Sequence, residues 1–162
     1  MDLLPASRLA DRCFKPNLTG LLALYEHNHA VLTHLLGTRE PYTCGAVSHP
    51  PRLPALYLSV LQRDRFTTTY HLTHYFGAAD VVHALPDLQL RVYHDARQCE
   101  VIQKPLPESR RGNPMIPLAE RWSINVQLNK WLRYCVDRGY RFAVLPVPVS
   151  GQAVTAPIRG QD

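Results

Sequence analysis

The sequence lacks the cysteine spacing of metal-binding and redox proteins. Its four cysteines, Cys13, Cys44, Cys99 and Cys135, stand far apart, and no two of them form a C-x-x-C pair. A common zinc site or a thioredoxin-like redox motif needs such a pair. We therefore expect reduced thiols, no bound metal and no cofactor.

The motifs of several large enzyme classes are also missing. The chain has no glycine-rich phosphate loop, no G-x-S-x-G elbow, no H-E-x-x-H pair and no calcium loop. His27 and His29 lie two residues apart on a predicted helix, so their side chains diverge and cannot share one metal ion. His71 and His74 lie three apart on a predicted strand and should point to opposite faces.

No apolar run is long enough to predict a membrane span, which needs about 18 residues with few charges. The first residues carry Asp2, Arg8, Asp11 and Arg12, which a secretory signal peptide would not contain. We therefore expect a soluble, cytoplasmic protein.

The composition of the 162 residues is that of a folded domain, with 46% hydrophobic and 19% charged residues. This length suits one core, so we predict a single domain over residues 1–148. Many of the 14 prolines mark loops and the end of the chain. Residues 149–162 are predicted to form a flexible tail.

The net charge of +5 comes from one segment, because acidic and basic residues cancel in 1–87 and in 142–162. Segment 88–141 holds the excess, and its basic residues are Arg91, Arg97, Lys104, Arg110, Arg111, Arg121, Lys130, Arg133, Arg138 and Arg141. This segment indicates either an anionic partner or a solvated basic surface. The basic residues of the predicted second helix are spread around its circumference, which disfavours a nucleic-acid partner.

Apolar periodicity predicts two helices. In residues 18–36 it places Leu18, Leu21, Leu22, Tyr25, Leu32, Leu35 and Leu36 on one stripe. Asn17 and Gly37 suit the two ends of this helix. A second helix should follow Pro117 and end before Gly139, with a stripe formed by Ile124, Leu128, Trp131, Leu132 and Cys135.

Between the helices the runs LYLSVLQ, FTTTYHLTHY, LQLRVYHD and CEVIQ are typical of strands, and residues 41–48 offer one more. The short connections at 62–65 and 95–98 predict tight hairpins. The segment between 75 and 86 reads as a loop. The predicted fold is therefore α+β, an antiparallel meander with both helices packed on one sheet face.

Several segments resemble the YqiB-like family of bacterial proteins: FKPNLTGLLALYEHNHAVLTHLL, RFTTTYHLTH, LQLRVYHDARQCEV and INVQLNKWLRYCVDRG. The similarity extends over about residues 14–139, and the fragments LRVYHDA and NKWLRYC are its most specific parts. The resemblance implies this order of elements. It implies no activity, because the family has no assigned function and supplies no catalytic residues.

His94 and Asp95 form the one candidate enzyme site, since a carboxylate that orients an imidazole can act as a general base. Neighbours on a strand point to opposite faces, so Asp95 is expected instead to open the turn. A turn at Ala96 and Arg97 would place His94 opposite Cys99 on the core face, where a buried thiol is inert.

The strand alternation places Arg91, Tyr93 and Glu100 on the outer sheet face, with Arg97 at the turn beyond them. This cluster forms either a binding surface or a routine solvated face with a hydrogen bond between Tyr93 and Glu100. Arg133 is expected at the rim of the second helix. We therefore expect a non-catalytic binding or adaptor protein for a protein or small anionic partner. The alternative is a small hydrolase or other enzyme acting on an anionic nucleotide or phosphoester.

Overall fold

The computed structural model describes residues 16–37, 45–78, 81–103 and 116–142. Its elements are α1 (Leu18–Leu36), β1 (Gly45–Ser48), β2 (Leu56–Arg63), β3 (Thr67–Ala78), β4 (Val81–Tyr93), β5 (Gln98–Gln103) and α2 (Leu118–Asp137). The strands form one antiparallel sheet in the order β1-β2-β3-β4-β5. The predicted α+β meander is confirmed. The proposed tail, 149–162, lies outside the described residues.

Local signals set the ends of α1. The Asn17 side chain accepts a hydrogen bond from the Gly20 N–H at 2.8 Å, as an N-cap residue does. Gly37 ends the helix with φ 79°, a conformation that favours glycine. The predicted stripe is wrong at two positions: Leu18 and Leu22 are 62% and 40% exposed. They flank the buried stripe, which instead includes Leu24, 1% exposed.

One face of the sheet forms the core together with both helices. Alternate strand residues point to this face, as the pleat requires. The core residues from the sheet are Leu56, Leu58, Tyr70, Leu72, Leu90, Val92, Cys99 and Val101. Those from the helices are Leu32, Leu35, Leu36, Ile124, Leu128, Leu132 and Cys135. Burial of both helix stripes on one face confirms the predicted layering.

Residues 75–78 and 81–86 belong to two paired strands, so the prediction of a loop at these positions was wrong. β3 continues to Ala78 and β4 begins at Val81, with Phe76 opposite His83. β2 begins at Leu56, which lies opposite His74. The part of β3 after His74, and the part of β4 paired with it, therefore extend past the end of β2. The apolar residues of this extension remain exposed: Phe76, Val81, Val82 and Leu85 are 44–60% exposed. Gly77 and Pro86 weakened the strand signal, because both residue types are depleted in strands.

The predicted register of β4 and β5 is also wrong, by two residues. Val92 lies opposite Cys99, and Arg91 lies opposite Glu100. Four residues, 94–97, form the turn, and Arg97 adopts φ 52° within it. A longer loop of this kind closes with a residue in the left-handed region. A shift of two residues keeps each side chain on its face, so Cys99 is still buried.

Candidate functional site

The sheet face opposite the helices carries polar and aromatic side chains. We call it the open face; its members are Tyr57, Ser59, Thr69, His71, Thr73, Tyr75, Gln89, Arg91, Tyr93, Gln98 and Glu100. The two threonines on the central strand β3 are buried, whereas the larger side chains around them are partly exposed. The open face is therefore a shallow surface with a floor of small residues and a rim of long ones.

Three of the predicted binding residues meet on this face. The Tyr93 hydroxyl donates a hydrogen bond to Glu100 Oε1 at 2.8 Å, the contact that was expected for a routine solvated sheet face. Arg91 lies opposite Glu100 on the neighbouring strand. Burial raises the pKa of Tyr93, and the Glu100 carboxylate adds to the effect. The hydrogen bond holds the Tyr93 and Glu100 side chains in place.

Two helix residues complete this cluster, and sequence reasoning missed both. Arg121 of α2 lies 3.9 Å from Glu100, measured from Nη1 to Oε2. Tyr25 of α1 is 7% exposed, and its hydroxyl is buried without a hydrogen bond to any described residue. Burial raises the pKa of Tyr25 to about 12, and the nearby Glu100 carboxylate also raises it. Both residues read as ordinary members of helices, so only the tertiary structure reveals them.

The open face also carries a histidine–carboxylate pair. His71 Nε2 lies 2.6 Å from Asp87 Oδ1, and the His71 side chain is 18% exposed. The rings of Tyr57 and Tyr75 meet edge to face nearby on the same face, with centroids 5.0 Å apart. His74 points to the core face, as the strand spacing predicted. An imidazole oriented by a carboxylate can accept a proton, so this pair has the parts of a general base.

His94 and Asp95 do not pair with each other. The Asp95 carboxylate accepts the Ala96 N–H at 2.9 Å and so opens the turn, as expected. His94 Nε2 lies 2.8 Å from the Thr68 hydroxyl, and its backbone N–H donates to the Phe66 carbonyl. Both side chains therefore hold the turn, and Cys99 faces Val92 instead of His94.

The remaining two predicted binding residues lie away from the open face. Arg97 is exposed on the β4–β5 turn, where it lines a groove beside α1. Arg133 lies on α2, which packs on the other side of the sheet from Arg91. The five predicted residues therefore do not form one cluster.

A buried asparagine network joins α1, α2 and β5. Asn129 donates to the Asn28 side chain at 2.9 Å, and Asn28 contacts Asn125 at 3.4 Å. Asn125 accepts the Val101 N–H at 3.2 Å, which caps the outer edge of β5. All three asparagines are at most 8% exposed. Asn125 and Asn129 lie beside Leu128 on the apolar stripe of α2. Their helical spacing from that stripe could have indicated, from the sequence alone, that both asparagines are buried.

Neither a metal cluster nor a membrane span is present in the described ranges. No group of three histidine, cysteine, aspartate or glutamate residues there could hold a metal ion. Neither described helix is long and apolar enough to cross a membrane.

An antiparallel meander with two helices on one face and a polar, tyrosine-bearing opposite face defines a small α+β domain. A family model described as protein of unknown function (DUF1249) matches residues 31–141, more than half of the 162 residues. The chain belongs to this family. No curated protein and no solved structure matches it significantly.

Proposed function

We propose that this protein is a non-catalytic binding or adaptor protein whose open face receives a partner protein. The observation that carries the proposal is the cluster of Arg91, Tyr93 and Glu100 on the sheet face opposite the core, where only Tyr25 and Arg121 reach Glu100 from the helices. Tyrosine and arginine are the residue types that most often dominate the binding energy of protein interfaces.

The order of this surface also supports binding. Tyr93 is held by Glu100, and His71 is held by Asp87. Side chains that are already fixed lose less conformational entropy when a partner binds. Arg91 offers a forked donor that suits a carboxylate, so the partner segment should be acidic opposite Arg91.

The test is affinity capture from a native lysate with three proteins in parallel: wild type, Tyr93→Ala and Tyr134→Ala. Tyr134 is a matched control because it is 45% exposed but lies on α2. Circular dichroism must first show that both variants are folded. We expect one partner to be lost with Tyr93→Ala and kept with Tyr134→Ala. A partner captured equally by all three proteins would count against the open face.

A small hydrolase or other enzyme acting on an anionic nucleotide or phosphoester is the second candidate. The His71–Asp87 pair favours it, since it supplies an oriented imidazole on an accessible face. Turnover of a panel of nucleotides and phosphate mono- and diesters, lost in His71→Asn, would support this candidate. No turnover by the wild-type protein would remove it.

We also infer that the matched family is the YqiB-like one, since the resembling segments lie mostly within residues 31–141. From this inference we propose that the protein works in the bacterial cytoplasm. Fractionation of a native host with an antibody against the protein tests that location, and recovery in the periplasm or membrane would contradict it.

A further inference from the structure

A groove of about 640 Å³ lies between α1 and the β4–β5 turn. Its residues are Glu26, His29, Ala30, Thr33, Ala96 and Arg97. The two alanines leave space between the helix and the turn, and charged or hydroxyl side chains stand around them. The volume falls within the range of small-molecule sites. The groove is separate from the open face, so a ligand bound in it would be independent of the proposed function.

Arg97 occupies a backbone conformation that arginine seldom adopts. Its φ is 52°, in the left-handed region where the turn would accept glycine or asparagine at lower cost. The first half of the turn is held by the Asp95 carboxylate, which accepts the Ala96 N–H, and by the contact between His94 and Thr68. A strained residue held in place at a groove is a feature of binding sites. Arg97 thus places a long cation beside the groove at a position where glycine would be less strained.

The charges of the groove define the ligand chemistry. Within the described residues, neither Arg97 nor Glu26 forms an ion pair. The Arg97 guanidinium offers a planar fork of donors, and the Thr33 hydroxyl can donate as well. Both groups suit an oxyanion. Glu26 on the facing helix repels negative charge and therefore weakens the binding of any anion in the groove.

We propose that this groove binds a small molecule through a phosphate or carboxylate group, with Arg97 as the principal contact. Arg97→Gly provides an unusual test, because glycine relieves the strain while it removes the cation. Arg52→Gly is the matched control: Arg52 has φ 64°, is exposed, and lies outside the groove. Both variants should melt no lower than wild type, but only Arg97→Gly should lose binding.

The experiment is a titration of the ¹⁵N-labelled protein with sodium phosphate, and separately with sodium acetate, at constant ionic strength. We expect one or both anions to shift the backbone amides of Ala96, Arg97 and Thr33. Arg97→Gly should weaken this binding about tenfold or more, as loss of a charge-assisted hydrogen bond does. Glu26→Gln should strengthen it about two- to fivefold, because a like charge is removed.

The anion that shifts these amides identifies the ligand group as phosphate or carboxylate. Arg97→Asn, which also tolerates the left-handed conformation, repeats the test if the glycine variant does not fold. The proposal is overturned if neither anion shifts the groove amides. It is equally overturned if Arg97→Gly and Arg52→Gly bind as wild type does.

Discussion

Replacing Asn125 by leucine tests whether the buried asparagine network stabilises the fold. Leucine keeps the number and branching of the heavy atoms, so the main change is the loss of hydrogen bonds. The Val101 N–H would lose its partner, whereas the Asn28 amide would keep only its 3.4 Å contact with the Asn125 backbone carbonyl. A buried group left without a hydrogen bond costs about 1 to 3 kcal/mol, so we expect a loss in that range. Urea unfolding at a constant m-value measures the free energy.

Gln127→Leu is the control, because Gln127 is exposed on the same helix, and it should change stability by less than about 0.5 kcal/mol. A second check uses Asn28→Leu and Asn129→Leu, which remove the two ends of the 2.9 Å hydrogen bond. The double variant should lose less stability than the sum of the losses in the two single variants. Each single variant leaves one buried amide without its hydrogen-bond partner, whereas the double variant removes both amides. An unchanged or higher stability of Asn125→Leu would refute this account of the network.

Four further outcomes follow from burial. Leu128→Ala, at a site 1% exposed, should cost about 2 to 5 kcal/mol, whereas Leu118→Ala, at a site 41% exposed, should cost under about 1 kcal/mol; similar denaturant midpoints would contradict this. Burial raises the pKa of Tyr25 to about 12, above its ordinary value of 10, so the folded state disfavours the phenolate. The contribution of Tyr25 to stability should therefore be complete below pH 10 and be lost between pH 10 and 12, and Tyr25→Phe should make the fall of stability in this range less steep; an equal slope in both proteins would sink the idea. Burial also raises the pKa of the Cys135 thiol to about 12, so a disulfide reagent at pH 8 should react with it only after unfolding, and Cys99→Ala should leave partner binding intact.

The sequence predicted the parts of the fold that local chemistry determines. The bounds of α1 follow from Asn17 and Gly37, whose roles depend on neighbouring backbone atoms alone. The register of β4 and β5 was wrong because the expected two-residue turn is a four-residue one, with Arg97 where glycine is usual. No local pattern indicated that arginine would adopt this conformation.

The candidate site was predictable only in part, for a related reason. Strand alternation placed Arg91, Tyr93 and Glu100 on one face, and the structure agrees. Tyr25 and Arg121 reach Glu100 from two helices that lie far from it in sequence. Such contacts depend on how the two helices pack around the edge of β5. The apolar periodicity of the sequence predicts the helices but does not predict this packing.

The most direct test of the open face as a partner surface is the affinity of the captured partner for Arg91→Gln compared with Arg138→Gln. Glutamine is used because a glutamate at position 91 would face Glu100 across the strands. Arg138, exposed at the end of α2, controls for the loss of one positive charge. At low ionic strength we expect Arg91→Gln to bind about tenfold or more weakly and Arg138→Gln to stay within about twofold of wild type. Equal affinities for the two folded variants would contradict the account.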